Sequence, residues 1–189
     1  MLKINNLSLS MGNKQILTNV SLSVENVGVT ALMGMSGVGK TSLLNIIAGL
    51  LKPDCGNIES NFKRISVKFQ EPRLFEWLTV KENVLAVLDN TPHANQTAEK
   101  HLEDVGLSED MNKYPKELSG GMAQRVALAR AIAYNGDLLL LDEPFAAIDE
   151  NTKSLLLPLI RSYAQTHAVI FVTHNIQEAH ALNANIFYL

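Results

Sequence analysis

Apolar and polar residues follow two different spacings along the chain, and the two spacings alternate. Alternation of apolar and polar residues over residues 3–10 and 13–26 predicts two strands, the first of them half-buried. Short, almost continuous apolar runs occupy residues 27–33, 137–142 and 168–174. Such runs are typical of strands that are buried on both faces of a sheet. The beginning of the chain therefore predicts a strand with one solvated face, and the later runs predict a covered central sheet.

Helical spacing separates these runs. Between residues 41 and 51 the apolar residues recur at every third or fourth position, and Pro53 ends the predicted helix. A second helix is predicted over residues 119–134, and two further short strands are predicted at 64–69 and 184–189. Strands that alternate with helices indicate an α/β fold with a mostly parallel sheet.

Residues 71–118 differ from the rest of the chain because they contain no convincing strand pattern. Thr79 and the glutamate three residues later predict a helix that begins with a capping box. We therefore expect one domain over residues 1–189. Its core consists of residues 1–70 and 119–189, and the intervening segment forms an inserted helical subdomain.

Composition and charge narrow the possible functions. The net charge is −3 and the pI is about 5.9, which gives no basic surface for nucleic acid. The only cysteine, Cys55, lies in a predicted Pro-Asp-Cys-Gly turn and excludes an internal disulfide. No signal peptide is visible, and no run of about 18 apolar residues is present, as a membrane span would need. We expect a cytosolic protein.

The stretch GMSGVGKT, residues 34–41, has the G-x-x-x-x-G-K-[ST] spacing of a phosphate-binding loop. Its glycines let the backbone approach an anion closely, and the following helix directs the positive end of its dipole at the same anion. Lys40 is then expected to reach the β- and γ-phosphates, and the Thr41 hydroxyl to bind Mg²⁺. A glycine turn with an unrelated lysine would have the same spacing. The position between a buried strand and a helix favours the phosphate loop.

Acidic residues follow the apolar run at 138–141. Asp142 stands at the carboxyl end of the predicted strand, where α/β proteins bind ligands, and is expected to hold Mg²⁺. Glu143 is placed to orient or deprotonate an attacking water. His174 ends another predicted strand, where its ring would either contact a γ-phosphate or cap the strand.

A second stretch, LSGGMAQR at residues 118–125, has the features of an anion site at a helix start. Ser119 is a predicted N-cap, and Gly120 and Gly121 leave backbone N–H groups free. An ordinary helix cap with a tight turn would use the same residues. The residues alone leave both interpretations open.

Four stretches in this order resemble the ATP-binding cassette (ABC) ATPase family: GMSGVGKT, LSGGMAQR, LLLLDEP and VTH. The resemblance covers nearly the whole chain, and the LSGG stretch is close to diagnostic when the other three accompany it. It implies a P-loop NTPase (RecA-like) core with an N-terminal antiparallel β region. It also implies that two cassettes pair head to tail, so that the LSGG helix of one copy covers the ATP held by the other.

The resemblance assigns further roles to single residues. Gln70 matches the family's glutamine loop and Asp149 its D-loop, and Met11 stands where the family usually has an aromatic residue that stacks on adenine. The implied catalytic residues are Lys40, Gln70, Glu143 and His174. The implied Mg²⁺ ligands are Thr41, Gln70 and Asp142. The implied ATP contacts are Met11, Gly34, Met35, Ser36, Gly37, Val38, Gly39, Lys40, Thr41, Ser42, Ser119, Gly120 and Gly121.

The resemblance also implies partners. In this family the helical subdomain and the glutamine loop contact membrane-spanning subunits. We therefore expect a homodimer docked on integral membrane permease subunits, peripheral on the cytoplasmic face of the inner membrane. Residues 70–84 are most similar to importer cassettes of the nitrate, sulfonate and taurine type, and a thiamine-type importer is an alternative. An extracytoplasmic solute-binding protein is then expected in the full system, and no nucleic acid.

The leading functional prediction is ATP hydrolysis that powers solute transport. One alternative is a soluble ABC-type ATPase that acts on nucleic acid or ribosomes, which usually carries a coiled-coil insertion or a second cassette. Another is a nucleotide-binding regulator without turnover, against which the intact Asp142, Glu143 and His174 argue. The transported solute is not readable from this chain, because selectivity would lie in other subunits.

Overall fold

Two sheets built from eight strands organise the fold, in a computed structural model that describes residues 1–189. The strands are β1 (Leu2–Met11), β2 (Lys14–Val24), β3 (Gly28–Met33), β4 (Cys55–Ser60), β5 (Ile65–Lys68), β6 (Leu138–Asp142), β7 (Ala168–Val172) and β8 (Asn185–Tyr188). A parallel sheet has the order β5-β6-β7-β3-β8, and an antiparallel sheet has the order β2-β1-β4. The predicted α/β class with an N-terminal antiparallel region is confirmed.

Helices connect the strands of the parallel sheet. They are α1 (Lys40–Ile47), α2 (Val80–Leu85), α3 (Ala94–Asp104), α4 (Gly120–Ala133), α5 (Glu150–Tyr163) and α6 (Ile176–Ala181), with one 3₁₀ turn at Pro115–Glu117. The predicted capping box of α2 is confirmed: Glu82 N donates to Thr79 Oγ1 at 3.2 Å, and Thr79 N donates to Glu82 Oε2 at 2.8 Å. None of the helices combines the length and the apolar character that crossing a bilayer requires.

The parallel sheet carries apolar core residues on both faces. Leu138 and Leu140 of β6 pack with α1 and the antiparallel sheet, whereas Leu139 and Leu141 pack with the helices α2 to α6. This burial on two faces explains why β6 and β7 are continuous apolar runs in the sequence. Because the five strands are parallel, their carboxyl ends share one edge of the sheet, which is where such folds bind ligands.

The antiparallel sheet contains one strand that the sequence pattern did not predict. β4 pairs with β1, but five of its six residues are exposed, so it lacks the apolar alternation that reveals a strand. The expectation that Cys55 lies in a turn is wrong, because Cys55 is the exposed first residue of β4. This strand is held by backbone hydrogen bonds to β1 and very little by burial.

The segment between β5 and α4 is helical, as its sequence pattern predicts. Helices α2 and α3 pack against each other and against α4. Val84 of α2 and Leu102 of α3 belong to the same apolar cluster as Leu139 of the central sheet. The division of the chain into a core and an inserted helical subdomain stays a prediction.

Candidate functional site

The loop between β3 and α1 needs glycine where the sequence has it. Gly39 has a φ of 107°, in the left-handed region that favours glycine. A Cβ at this position would lie 2.7 Å from Leu17 Cδ2 and 3.0 Å from the carbonyl oxygen of Ile16. The loop backbone is therefore packed directly against β2, which fixes the point where α1 begins.

The first turn of α1 presents unpaired hydrogen-bond donors. The backbone N–H groups of Lys40, Thr41 and Ser42 have no backbone partner, as at a helix start that lacks a side-chain cap. The Lys40 ammonium donates to the carbonyl oxygens of Gly34 at 2.9 Å and Met35 at 2.8 Å. One of its three donors remains for a ligand. Free N–H groups and a lysine at a helix N-terminus are suited to a phosphate.

Asp142 ends β6 as a buried carboxylate, 4% exposed, whose Oδ1 has no hydrogen-bond partner. Burial raises the pKa of this carboxyl, a hydrogen bond from Thr41 lowers it, and the charge of Glu143 raises it further. A buried carboxylate oxygen without a partner is uncommon, and oxygen ligands are those that Mg²⁺ prefers. The Thr41 and Asp142 pair therefore fits Mg²⁺. No cluster of three His, Cys, Asp or Glu side chains offers a metal site elsewhere.

A cleft of about 240 Å³ brings the loop and the acidic turn together. In its wall Gln70 Nε2 donates to Glu143 Oε2 at 3.4 Å. Gln124 Nε2 donates to the carbonyl oxygen of Gln70 at 2.8 Å, so α4 supports Gln70 from behind. We call it the phosphate-loop cleft, and it is lined by Ile16, Ser36, Gly37, Gly39, Lys40, Thr41, Ser42, Gln70, Glu143 and Val172.

Lys68 is a buried cation beside the acidic turn, and the sequence analysis did not single it out. Its side chain is 1% exposed, and its ammonium donates to the carbonyl oxygens of Asp142 at 3.1 Å and Glu143 at 3.2 Å. Burial lowers the pKa of Lys68 to about 8, against the attraction of both carboxylates. The only sequence signal was the alternation in β5, which places Ser66 and Lys68 on one face.

His174 lies in a second cleft, of about 250 Å³, which we call the His174 cleft. Lys153 lines it and pairs with Glu150 at 2.8 Å and with Glu178 at 3.0 Å, so α5 and α6 are tied together beside His174. Glu143 lines both this cleft and the phosphate-loop cleft. The structure therefore brings His174 to the same acidic turn as Gln70.

Ser119 lies in a third cleft, of about 260 Å³, together with Gly121 and Asp149. We call it the Ser119 cleft. The predicted N-cap is confirmed, because Ser119 Oγ accepts a hydrogen bond from Met122 N at 3.3 Å. The Ser119 cleft and the phosphate-loop cleft share no lining residue. One copy of the chain therefore carries its two candidate anion-binding elements in two different clefts.

Some predicted site residues lie outside these three clefts. Met11 is 50% exposed at the end of β1 and lines none of them. Ile16, which the sequence analysis did not single out, lines the phosphate-loop cleft instead. Five other predicted residues are absent from the cleft linings, namely Gly34, Met35, Val38, Gly120 and Asp142.

Comparison with known proteins gives consistent matches over the chain. A profile of the family described as ABC transporter matches residues 17–146. The aliphatic sulfonates import ATP-binding protein SsuB 2 of Pseudomonas syringae pv. tomato is 40% identical over 176 residues, which cover 92% of this chain and 75% of that protein. The taurine import ATP-binding protein TauB of Roseobacter denitrificans is 38% identical over 208 residues, which cover 100% of this chain and 77% of that protein.

Solved structures match the fold over its full length. The dimeric structure of MJ0796, described as a bacterial ABC transporter cassette, superposes with a TM-score of 0.91 at 31% identity and covers 100% of this chain and 94% of that one. A dimeric post-hydrolysis state of MJ0796 bound to ADP and Pi superposes with a TM-score of 0.89, with the same identity and coverage.

Proposed function

The chain belongs to the ABC transporter family, and from this premise we propose that it binds ATP in the phosphate-loop cleft and uses Glu143 to activate the water that hydrolyses it. ATP binding and hydrolysis that power transport across a membrane are the activity of this family. One observation carries the assignment of residues. A single cleft gathers the free donors of α1, the Lys40 ammonium and the pair formed by Gln70 and Glu143.

Each residue of the cleft has a chemical role in this proposal. The N–H groups of the α1 first turn and the Lys40 ammonium bind the phosphates and neutralise their charge. Glu143 accepts a proton from the attacking water, while Gln70 orients the Glu143 carboxylate through Nε2. His174, whose cleft shares Glu143 with the phosphate-loop cleft, would donate a hydrogen bond to the γ-phosphate. Positioning and charge neutralisation are the main contributions of a protein to phosphoryl transfer.

Magnesium is part of the proposal because the donors near the phosphates suit it. Thr41 and Asp142 would hold the ion, and Gln70 is the third protein residue proposed to contact it. Bound there, Mg²⁺ would neutralise charge on the β- and γ-phosphates. The support is the partnerless Oδ1 of Asp142 and the Thr41 hydroxyl, which lowers the pKa of the same carboxyl.

We further propose that two copies form the complete ATPase. The Ser119 cleft and the phosphate-loop cleft have no lining residue in common, and we propose that Ser119, Gly120 and Gly121 serve the ATP bound by the partner copy. In a head-to-tail pair the free N–H groups at the start of α4 would face the partner's γ-phosphate. The dimeric state of the structurally similar cassette supports this arrangement.

The partners and the solute follow from the relatives. SsuB 2 and TauB are named for the import of aliphatic sulfonates and taurine. We propose that this chain docks on membrane permease subunits at the cytoplasmic face, and that a solute-binding protein delivers a small organic sulfonate to that assembly. The alternative of a nucleic-acid or ribosome-directed ATPase has no support in the comparisons.

Glu143→Gln tests the proposed chemistry. The substitution keeps the size and a hydrogen-bonding side chain but removes the base, so hydrolysis is expected to fall by about 10²–10⁴-fold. ATP binding is expected to persist, and the variant is expected to accumulate as an ATP-bound dimer because hydrolysis reopens the pair. Phosphate release measures the first effect, and size-exclusion chromatography with light scattering in ATP and in ADP measures the second.

Two outcomes are informative in different ways. Near-normal turnover by Glu143→Gln would remove the role assigned to Glu143. A slow variant that stays monomeric in ATP at high protein concentration would keep that role but contradict the proposed pairing of the isolated chain.

A further inference from the structure

The ammonium of Lys68 is buried beside the Asp142–Glu143 turn, where a charged group is energetically unfavourable. Strand β5 pairs with β6 so that Lys68 is opposite Leu141, directly before the acidic turn. At 1% exposure the side chain has no access to water, and burying an ammonium is costly unless it is paired and hydrogen-bonded. Its partners are the carbonyl oxygens of Asp142 and Glu143, at 3.1 and 3.2 Å.

Lys68 does not line the phosphate-loop cleft, whereas Lys40 does. The two lysines therefore have different tasks. Lys40 has one donor left for a ligand, while Lys68 binds backbone oxygens beside the turn and is shielded from the cleft. A role for Lys68 in binding the nucleotide directly is excluded by this placement.

The Lys68 ammonium contacts a residue with an unusual backbone conformation, Glu143. Glu143 has a φ of 45°, in the left-handed region that an L residue adopts at a cost. Its N–H donates to the carbonyl oxygen of Val172 at 3.2 Å, and its own carbonyl accepts from Lys68. The residue is thus anchored to β7 on one side and to β5 on the other. The carboxylate of the same residue accepts a hydrogen bond from Gln70 Nε2.

We propose that Lys68 is a positioning residue for ATP hydrolysis, whose buried ammonium clamps the Asp142–Glu143 turn and so fixes the Glu143 carboxylate in the phosphate-loop cleft. The inference rests on the proposed role of Glu143. Glu143 would then be held at two points. Gln70 contacts its carboxylate, and Lys68 contacts its backbone carbonyl.

Lys68→Met tests the clamp, since methionine is similar in length but has no charge and no donor. We expect kcat to fall by roughly 10- to 100-fold, since a displacement of about 1 Å at a reacting group can cost about 10²-fold. The Kd for ATP, measured by calorimetry, is expected to change by less than about twofold, because Lys40 and the free N–H groups of α1, which are proposed to bind the phosphates, are unchanged.

Ser66→Ala is the matched control. Ser66 lies on the same buried face of β5, and its hydroxyl accepts a hydrogen bond from Gly136 N at 3.1 Å, away from the cleft. The variant loses a buried hydrogen bond in the same strand but leaves the acidic turn untouched. Its kcat is expected to match the wild type even if its melting temperature falls.

The double variant Lys68→Met with Glu143→Gln distinguishes a failure of this inference from a failure of the proposed function. If Lys68 acts through the Glu143 carboxylate, Lys68→Met is expected to have no further effect on the residual rate of Glu143→Gln. Equal losses in both backgrounds, an unchanged kcat, or a loss confined to ATP affinity would each overturn the clamp. A normal rate for Glu143→Gln alone would instead overturn the proposed function.

A second substitution keeps the proposal testable if Lys68→Met does not fold. Lys68→Gln is also uncharged but retains an amide donor, and it is expected to show the same split between kcat and Kd if Lys68→Met does not fold. Failure of both variants to fold would overturn the proposal, because the ammonium would then hold the fold and not the carboxylate.

Discussion

Two residues near the start of the chain differ in their position relative to the phosphate-loop cleft. Ile16 lines the phosphate-loop cleft from β2, and half-exposed Met11 lies outside its lining at the end of β1. The family resemblance assigns the ring contact to Met11. A thioether reaches an aromatic ring edge for about 0.3–1.5 kcal/mol, which is weaker than a full stack of about 1–3 kcal/mol.

Met11→Tyr is therefore expected to tighten ATP binding by about 0.5–1.5 kcal/mol, the additional worth of an aromatic pair. Competition by GTP is expected to be effective against the wild type, because a thioether contact does not distinguish the two bases. Calorimetry on both proteins measures the difference. Equal ATP affinity would show that Met11 does not contact the base.

Site residues whose role depends on a local motif were predictable from the sequence, and those whose role depends on distant contacts were not. Lys40 and Thr41 were predicted because their roles depend on a local loop whose spacing is visible in eight consecutive residues. Lys68 was not found, because its burial depends on carbonyl groups 74 and 75 positions away. A lysine in a short alternating strand gives no local sign that its ammonium is enclosed.

At the scale of elements, helix α2 owes its start to a reciprocal pair of side-chain hydrogen bonds. Thr79→Ala removes the bond to Glu82 N and is expected to lower the free energy of unfolding by about 0.5–2 kcal/mol. Chemical denaturation measures this free energy of unfolding. Thr97→Ala is the control, because the Thr97 hydroxyl donates to the carbonyl oxygen of His93 at 3.0 Å and caps no backbone N–H group. Similar losses in the two variants would contradict the special role of the cap.

At the same scale, strands with a continuous apolar run were predictable, and the strand without an apolar pattern was not. Strands β3, β6 and β7 were identified from apolar runs because both of their faces are covered. Strand β4 was missed because its stability comes from pairing with β1 and not from burial. The hydrophobic pattern of one segment contains no information on which distant strand its backbone pairs with.

For the whole molecule, the proposed function assigns ATP binding to the phosphate-loop cleft and pair formation to the Ser119 cleft, so mutation is expected to separate the two properties. Lys40→Ala should abolish ATP binding by the isolated chain, because the loop loses its cation. Ser119→Arg should leave that binding intact yet prevent the ATP-dependent dimer, because bulk and charge would occupy the place of the partner's phosphate. Calorimetry and light scattering measure the two properties. Loss of ATP binding in Ser119→Arg would contradict the assignment of the clefts to two ATP molecules.

The lack of shared residues between the Ser119 cleft and the phosphate-loop cleft has a consequence for mixtures of defective chains. In a pair of one Lys40→Ala copy and one Ser119→Arg copy, both lesions fall on the same composite site. The other composite site receives the unaltered loop of one subunit and the unaltered LSGG helix of the other. Two inactive proteins would thus regain hydrolysis when mixed, by complementation between subunits that neither could achieve alone.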